Sequence, residues 1–192
     1  MKYPAAFPVL STARLILRET ATRDVEAVFA MESDPVAMRY WSRLPMREIA
    51  EAQASVERAI GFFASGDALR WSITRPGEDR LLGHVSLFNF HEPSARADIG
   101  YGLAREHWGQ GIMHEALTAV VDYAFGPLGL RRLEADVDPA NAASLRAVER
   151  LGFQREGLLK ERWQVGETIS DTVFLGLLAR EWRARAVGSG SR

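Results

Sequence analysis

The sequence has no cysteine. That absence removes disulfides, thiolate metal ligands and any thiol nucleophile, and it suits a reducing compartment. Excess charge of either sign is missing too: 24 basic against 25 acidic residues give a formal net charge of −1, which offers nucleic acid or an anionic membrane no general attraction. No apolar run approaches the roughly 18 residues of a membrane span, and Met1–Leu10 holds too short an apolar segment for a secretory signal. A cytoplasmic protein with neither nucleic acid nor membrane as partner is the expectation. Histidine is scarce, at positions 84, 91, 107 and 114 only. His114-Glu115 lacks a second ligand because Thr118 stands in its place, and no pair has zinc spacing, so no metal is expected. Gly-x-Ser-x-Gly, the serine-hydrolase signature, is also absent.

What remains can fold as one unit. The 192 residues, 47% hydrophobic and 26% charged, suffice for one core and one domain over residues 1–182, with a flexible tail expected from Arg183 (RARAVGSGSR). ARLILR (Ala13–Arg18) suits a first strand, and Thr22 is placed to cap a short helix carrying Val25, Val28 and Phe29. Ile49, Ala52, Val56, Ala59, Ile60 and Phe63 mark a second helix ending near Gly61–Gly66. RWSITR and LLGHVSLFNF, on either side of PGED (Pro76–Asp79), read as a hairpin, and ADIGYGLA (Ala97–Ala104) as a third antiparallel strand. Met113, Leu117, Val120, Val121 and Ala124 form one face of a helix, with Glu115, Thr118 and Asp122 opposite. RRLEADV (Arg131–Val137) is a further strand. Asp138, Pro139 and Asn141 then start a helix that Gly152 ends, and Trp163–Leu178 closes with a hairpin. The order β-α-α-β-β-β-α-β-α-β-β describes an α+β protein, a mixed, largely antiparallel sheet with helices packed on it.

The stretch EHWGQGIMHEAL (Glu106–Leu117) sets Gly109 and Gly111 where a strand gives way to a helix. Glycine takes positive φ and lets a ligand approach without meeting a Cβ. A turn of this kind exposes consecutive N–H groups at the positive end of a helix, a site for phosphate oxygens. A plain tight turn is the alternative. A P-loop is excluded because Ile112 and Met113 follow Gly111, and the Rossmann pattern because His114 stands where its third glycine belongs.

With its flanks, YGLAREHWGQGIMHEAL resembles the coenzyme A pyrophosphate loop of the GNAT family of N-acetyltransferases, whose pattern is Arg/Gln-x-x-Gly-x-Gly/Ala. Trp108, Gly111 and Met113 occupy those positions, so the first and last depart from it. Trp-Gly-x-Gly is the version of the RimJ/RimL-like branch, which acetylates protein N-termini and small amines. DVDPANAASLRAVERLGF (Asp136–Phe153) resembles that branch's Asn-x-x-Ser…Glu-x-x-Gly-Phe segment, and LSTARLILRETATRDVEAVF its opening Leu-x-Thr-x-Arg-Leu-x-Leu-Arg.

The resemblance implies the GNAT fold, acetyl-CoA as co-substrate, an amine acceptor and direct transfer in a ternary complex. It implies a strand, Ile99–Leu103, that splays from its neighbour so that the pantetheine arm pairs with its backbone. Ile99, Tyr101, Gly102 and Leu103 are then cofactor contacts, with Leu103 N–H polarising the thioester carbonyl. Trp108, Gly109, Gln110, Gly111, Ile112, Met113 and His114 form the diphosphate loop. Asn141 is read both as a helix N-cap and as a pantetheine partner. Asp136, or else Glu134, is the candidate base acting through water, with solvated surface acids as the alternative. The tyrosine acid of many relatives is replaced by Val148, leaving Ser144 to hydrogen-bond the sulfur. Trp41, Asn89, Phe90 and Glu92 are candidate acceptor contacts. A non-catalytic acyl-CoA-binding module and an unrelated nucleotide-binding protein remain as alternatives. The acceptor and the oligomeric state, a homodimer among the options, stay open.

Overall fold

The computed structural model describes residues 1–189 and forms one eight-stranded mixed sheet. Its elements are β1 (Leu10–Ser11), β2 (Ile16–Glu19), α1 (Val25–Glu32), α2 (Ile49–Ser65), β3 (Ala68–Arg75), β4 (Glu78–His91) and β5 (Arg96–Leu103). Then follow α3 (Ile112–Phe125), β6 (Arg132–Val137), α4 (Ala142–Leu151), β7 (Gln154–Val165), β8 (Thr168–Leu178) and α5 (Ala179–Ser189). The strand order is β1-β2-β3-β4-β5-β6-β8-β7, and every pair is antiparallel except β5–β6. The α+β class and the mixed, largely antiparallel sheet expected from the sequence are both present.

The helices form where the apolar spacing demands a buried stripe. α3 buries Ile112, Ala116, Leu117, Val120, Val121, Ala124 and Phe125 in the main core, against Leu69, Trp71, Ile73, Val85 and Leu87 of the sheet. α1 and α2 cover the other face, enclosing a smaller cluster of Val28, Met46, Ala52, Val56 and Leu81. The two faces differ in character. Alternation puts Arg70, Ser72 and His84 beneath α1 and α2, so polar groups are buried on that side.

Several local expectations are revised. Thr22 does not cap α1; the buried Asp24 does the local work, accepting from Ala21 N (2.9 Å) while it pairs with Arg18 (2.7 Å). α2 ends as expected within Gly61–Gly66, at Gly66, which adopts φ +78. The first hairpin turns on Pro76 and Gly77 alone, because Arg75 already pairs with Glu78. The last hairpin starts at Gln154 rather than Trp163: β7 is an edge strand, exposed along nearly its whole length, so its residues carry no apolar period. Arg183–Ser189, expected as tail, continue α5, with Trp182 Nε1 bonded to Asp122 (2.7 Å) and Arg183 to Phe125 O (2.9 Å); residues 190–192 lie outside the described residues.

Candidate active site

β5 is hydrogen-bonded to β4 from Gly83↔Leu103 to Phe88↔Asp98, but to β6 only through Arg96↔Arg132, Ala97↔Leu133 and Asp98↔Glu134. Past that point β6 stays with β8 and the two parallel strands part. A wedge therefore opens between Ile99–Leu103 and Ala135–Val137. Ala104 N donates to Leu82 O at 2.9 Å, and antiparallel alternation from that bond turns the N–H and C=O of Ile99, Tyr101 and Leu103 toward the wedge. Leu103 O is taken by the Trp108 indole N–H (2.8 Å). Its N–H has no strand partner, so an extended amide-bearing chain would find a ready edge.

The wedge leads to the glycine loop. Gly109 and Gly111 adopt φ +72 and +75, the left-handed region that glycine enters freely. Gly111 is the N-cap of α3 and has no capping side chain, and the first intrahelical bond is Glu115 N to Gly111 O (3.1 Å). The N–H groups of Ile112, Met113 and His114 are thus unclaimed by the helix at its positive end. Ile112 contributes only its amide, since its side chain is core, and the Gln110 side chain folds back on Glu106 O (2.9 Å).

Sequence reasoning gave Arg14 no part in this loop. Its Nε binds Glu115 Oε2 (2.7 Å) and its terminal nitrogen donates to Gln110 O (3.2 Å), while Thr12 Oγ1 donates to Glu115 Oε1 (2.6 Å). The signal lay in the opening motif LSTARLILR, whose Thr12 and Arg14 buttress the loop.

On the α4 side of β5, Asn141 Oδ1 accepts from Ser144 N (3.0 Å), which fixes the N-cap reading of Asn141. Ser144 Oγ lies 2.6 Å from the Tyr101 hydroxyl. Burial, against that hydrogen bond, pushes the Tyr101 phenol up to about 12. Val148 is fully buried core.

On the opposite side three carboxylates gather. Glu134 is committed to Arg96 (2.6 Å) and Arg132 (2.7 Å). Asp136, exposed at the surface, forms no ion pair among the described residues; partial desolvation raises its pKa from the ordinary aspartate value, Arg162 opposes this and Glu134 adds to it. Asp98, across from Glu134, is the acid that the sequence reading overlooked. Burial raises its pKa as well, countered by the Asn89 amide (2.8 Å) and reinforced by Glu134 and Asp136. Trp41 closes this face: its ring is 2.6 Å from where a Cβ on Gly102 would sit, and it meets the buried His84 edge-on at 5.5 Å. Gly102 therefore makes room for an indole.

The other expected acceptor contacts are dispersed. Asn89, at φ +51, bulges β4 and holds Asp98; the bulge turns Phe90 onto Tyr3 (5.9 Å) and the main core, while Phe88 takes the place beside Gly100. Glu92 sits in an exposed 3-10 turn. No group of three or more metal-ligating side chains occurs among the described residues, and no helix there is long and apolar enough to cross a membrane.

Residues 14–154 match the family model described as an acetyltransferase (GNAT) domain. The uncharacterized N-acetyltransferase YoaA of Bacillus subtilis is 36% identical over 166 residues, 86% of this chain and 94% of that protein. The [ribosomal protein uS5]-alanine N-acetyltransferase of Escherichia coli is 29% identical over 131 residues, 68% of each chain. The structure of Mycobacterium smegmatis RimJ in complex with CoA-disulfide superimposes with a TM-score of 0.83 over 98% of both chains at 24% identity.

Proposed function

Because this chain belongs to the GNAT acetyltransferases, in their RimJ/RimL-like branch, and is an N-acetyltransferase, we propose that it moves acetyl from acetyl-CoA to a primary amine, on a protein N-terminus or a small molecule, by direct transfer. One observation carries the reading: the β5–β6 wedge ends at the uncapped amino terminus of α3. The residues suit the donor. A diphosphate meets the amides of Gly111–His114, the pantetheine amides meet Ile99 and Tyr101, and the thioester carbonyl accepts from Leu103 N–H.

The acceptor nitrogen attacks the carbonyl carbon, the C–S bond breaks, and the amine proton passes through water to Asp136. Asp136 is favoured over Glu134 because two arginines already hold Glu134. A reference α-amine, at about 7.7–8.0, loses its proton far more readily than a lysine, at about 10.4, so a modest base suffices. At about 12 the Tyr101 phenol is too weak an acid to hand a full proton to a thiolate, whose conjugate acid lies near 8.5. The Tyr101–Ser144 pair instead supplies a hydrogen bond to the departing sulfur. The names of related proteins support both acceptor classes: an alanine of ribosomal protein uS5 for the Escherichia coli protein and spermidine for a Vibrio cholerae neighbour solved with CoA and spermine.

Calorimetry with acetyl-CoA, ATP and NAD tests the donor, and only acetyl-CoA is expected to bind. Labelled acetyl-CoA with an N-terminal peptide library and amine pools, read by mass spectrometry, tests the transfer. The buried Val148 favours a second reading, a non-catalytic acyl-CoA-binding module. Donor binding without thiol release would select it.

A further inference from the structure

A cavity of about 440 Å³ opens between the α1–α2 segment and the tip of the β7–β8 hairpin, with Ser42, Arg43, Arg47, Glu51, Gln164 and Gly166 on its walls. Its charge is lopsided. Arg43 and Arg47 face a single lining carboxylate, Glu51, whose Oε1 already accepts the backbone N–H of Arg47 (2.9 Å) and Glu48 (3.2 Å). Arg47 makes no ion pair among the described residues. Beneath the cavity the fully buried Glu32 is shared by Arg43 and Arg70, and Arg70 Nε is buried without a hydrogen-bond partner. Three guanidinium groups thus stand against two carboxylates. The surplus is positive, and it sits on the exposed Arg47, with the half-buried Arg43 beside it.

The cavity also adjoins the cleft of acetyl transfer. Arg43 lies over the Trp41 ring, 5.9 Å from its centroid, and the far rim of that indole covers Gly102, next to Leu103. Arg43, a wall of the cavity, thus stacks on the tryptophan that walls the cleft.

We infer that this cavity receives an anionic group, a carboxylate, borne by the acceptor itself. The acceptor is then zwitterionic: its amine is drawn toward Asp98 and Asp136, and its carboxylate toward Arg43 and Arg47, on the far side of Trp41. A free amino-acid-like molecule and a peptide with an acidic residue near its N-terminus offer the same chemistry. This deepens the acetyl-transfer reading and rests on it.

The test uses the full chain and matched acceptors: tetrapeptides with Asp or Glu against Asn or Gln at positions two to four, and free amino acids against their amides. Thiol release should favour the acidic member of each pair by about two- to fivefold in kcat/KM, the worth of one exposed ion pair. The better of the two acceptor sets identifies the source of the carboxylate. Arg47→Ala should bring the acid-to-amide ratio toward one and Arg47→Glu should invert it, with CoA affinity and melting temperature held as checks on folding. Binding of the same pairs to the CoA-saturated protein gives a second measurement, independent of turnover. Equal binding or equal rates for acid and amide, or a ratio untouched by Arg47→Glu, would overturn the inference. CoA binding with an acid preference but no thiol release would instead remove the catalytic reading and leave the cavity assignment standing.

Discussion

Replacing Gly111 tests the diphosphate loop most directly, because its backbone sits at φ +75 at the mouth of α3. An L-residue in the left-handed region costs about 1–2 kcal/mol, and valine, stiff at its branched carbon, lies at the upper end. Space is a lesser matter, since a Cβ on Gly111 meets only the guanidinium of Arg14, at 3.4 Å. Two outcomes follow. If the loop keeps its shape, Gly111→Val loses that stability, a drop of about 2–4 °C per kcal/mol for a chain of this size. If it relaxes to negative φ, the amides of residues 111–113 swing away from the diphosphate. A charge-assisted hydrogen bond contributes roughly 1.5–3 kcal/mol, so losing one weakens CoA binding about 10- to 150-fold. Calorimetry should compare CoA with pantetheine, which lacks the diphosphate. The loss is expected for CoA alone. A folded Gly111→Val protein that binds CoA as wild type, or that loses CoA and pantetheine affinity in equal measure, would refute the loop assignment.

Three further perturbations separate the remaining roles. Asp136 is exposed, and partial desolvation raises its folded-state pKa, so its ionisation at neutral pH slightly opposes folding, a penalty that solvent screens and that fades as pH falls through the raised value. Asp136→Asn should therefore hold or raise the melting temperature at pH 7 while lowering turnover by about 10²-fold, with a smaller deficit above about pH 8, where α-amines are already neutral; unchanged turnover at both pH values removes Asp136 from the mechanism. Tyr101→Phe and Ser144→Ala break the same 2.6 Å contact, so each should lower kcat, and the double variant should be no worse than either single one, a coupling of about 1 kcal/mol; strict additivity would mean the pair does not act as a unit. Gly102→Ala pushes a Cβ to 2.6 Å from the Trp41 ring, which should cost about 1–3 kcal/mol and raise KM for the amine but not for acetyl-CoA. Trp41→Leu in that background should restore the stability, and failure to do so would place the strain elsewhere.

Legibility in the sequence followed the physics of burial. α3 was readable because its apolar residues keep helical spacing against one core, and the glycine loop because positive φ leaves few alternatives to glycine. The wedge entered through family resemblance, since nothing in ADIGYGLA or RRLEADV says that two neighbouring strands stop pairing after Asp98 and Glu134. β7 was hidden because an exposed edge strand needs no alternation. Asp98 was passed over because a lone acid in an apolar strand looks like a solvent-facing residue. Only the sheet register brings it beside Glu134, and only the Asn89 bulge supplies its partner. Phe90 turns to the core because the same bulge breaks the alternation along β4, which the sequence does not announce.

The alternation of β5 also accounts for a feature that is costly in isolation, two glycines inside a central strand. Odd positions face α3 and α4: Ile99 enters the core and Tyr101 reaches Ser144. Even positions face α1 and α2, where Asp98 joins the acids, Gly100 lies 3.1 Å from the Phe88 ring at its Cβ position, and Gly102 lies under Trp41. The free edge between these faces presents backbone alone. On the proposed mechanism one strand separates three tasks: the donor's amides along its edge, the sulfur's hydrogen-bond partner on one face and the acceptor's walls on the other. Side chains at 100 and 102 would push aromatic walls into the space where an amine must approach the carbonyl beside Leu103. Kinetic effects should divide accordingly, with even-position substitutions altering acceptor parameters and odd-position ones altering thioester chemistry. A one-residue slip in the β4–β5 register would exchange the faces and abolish both sets of contacts together.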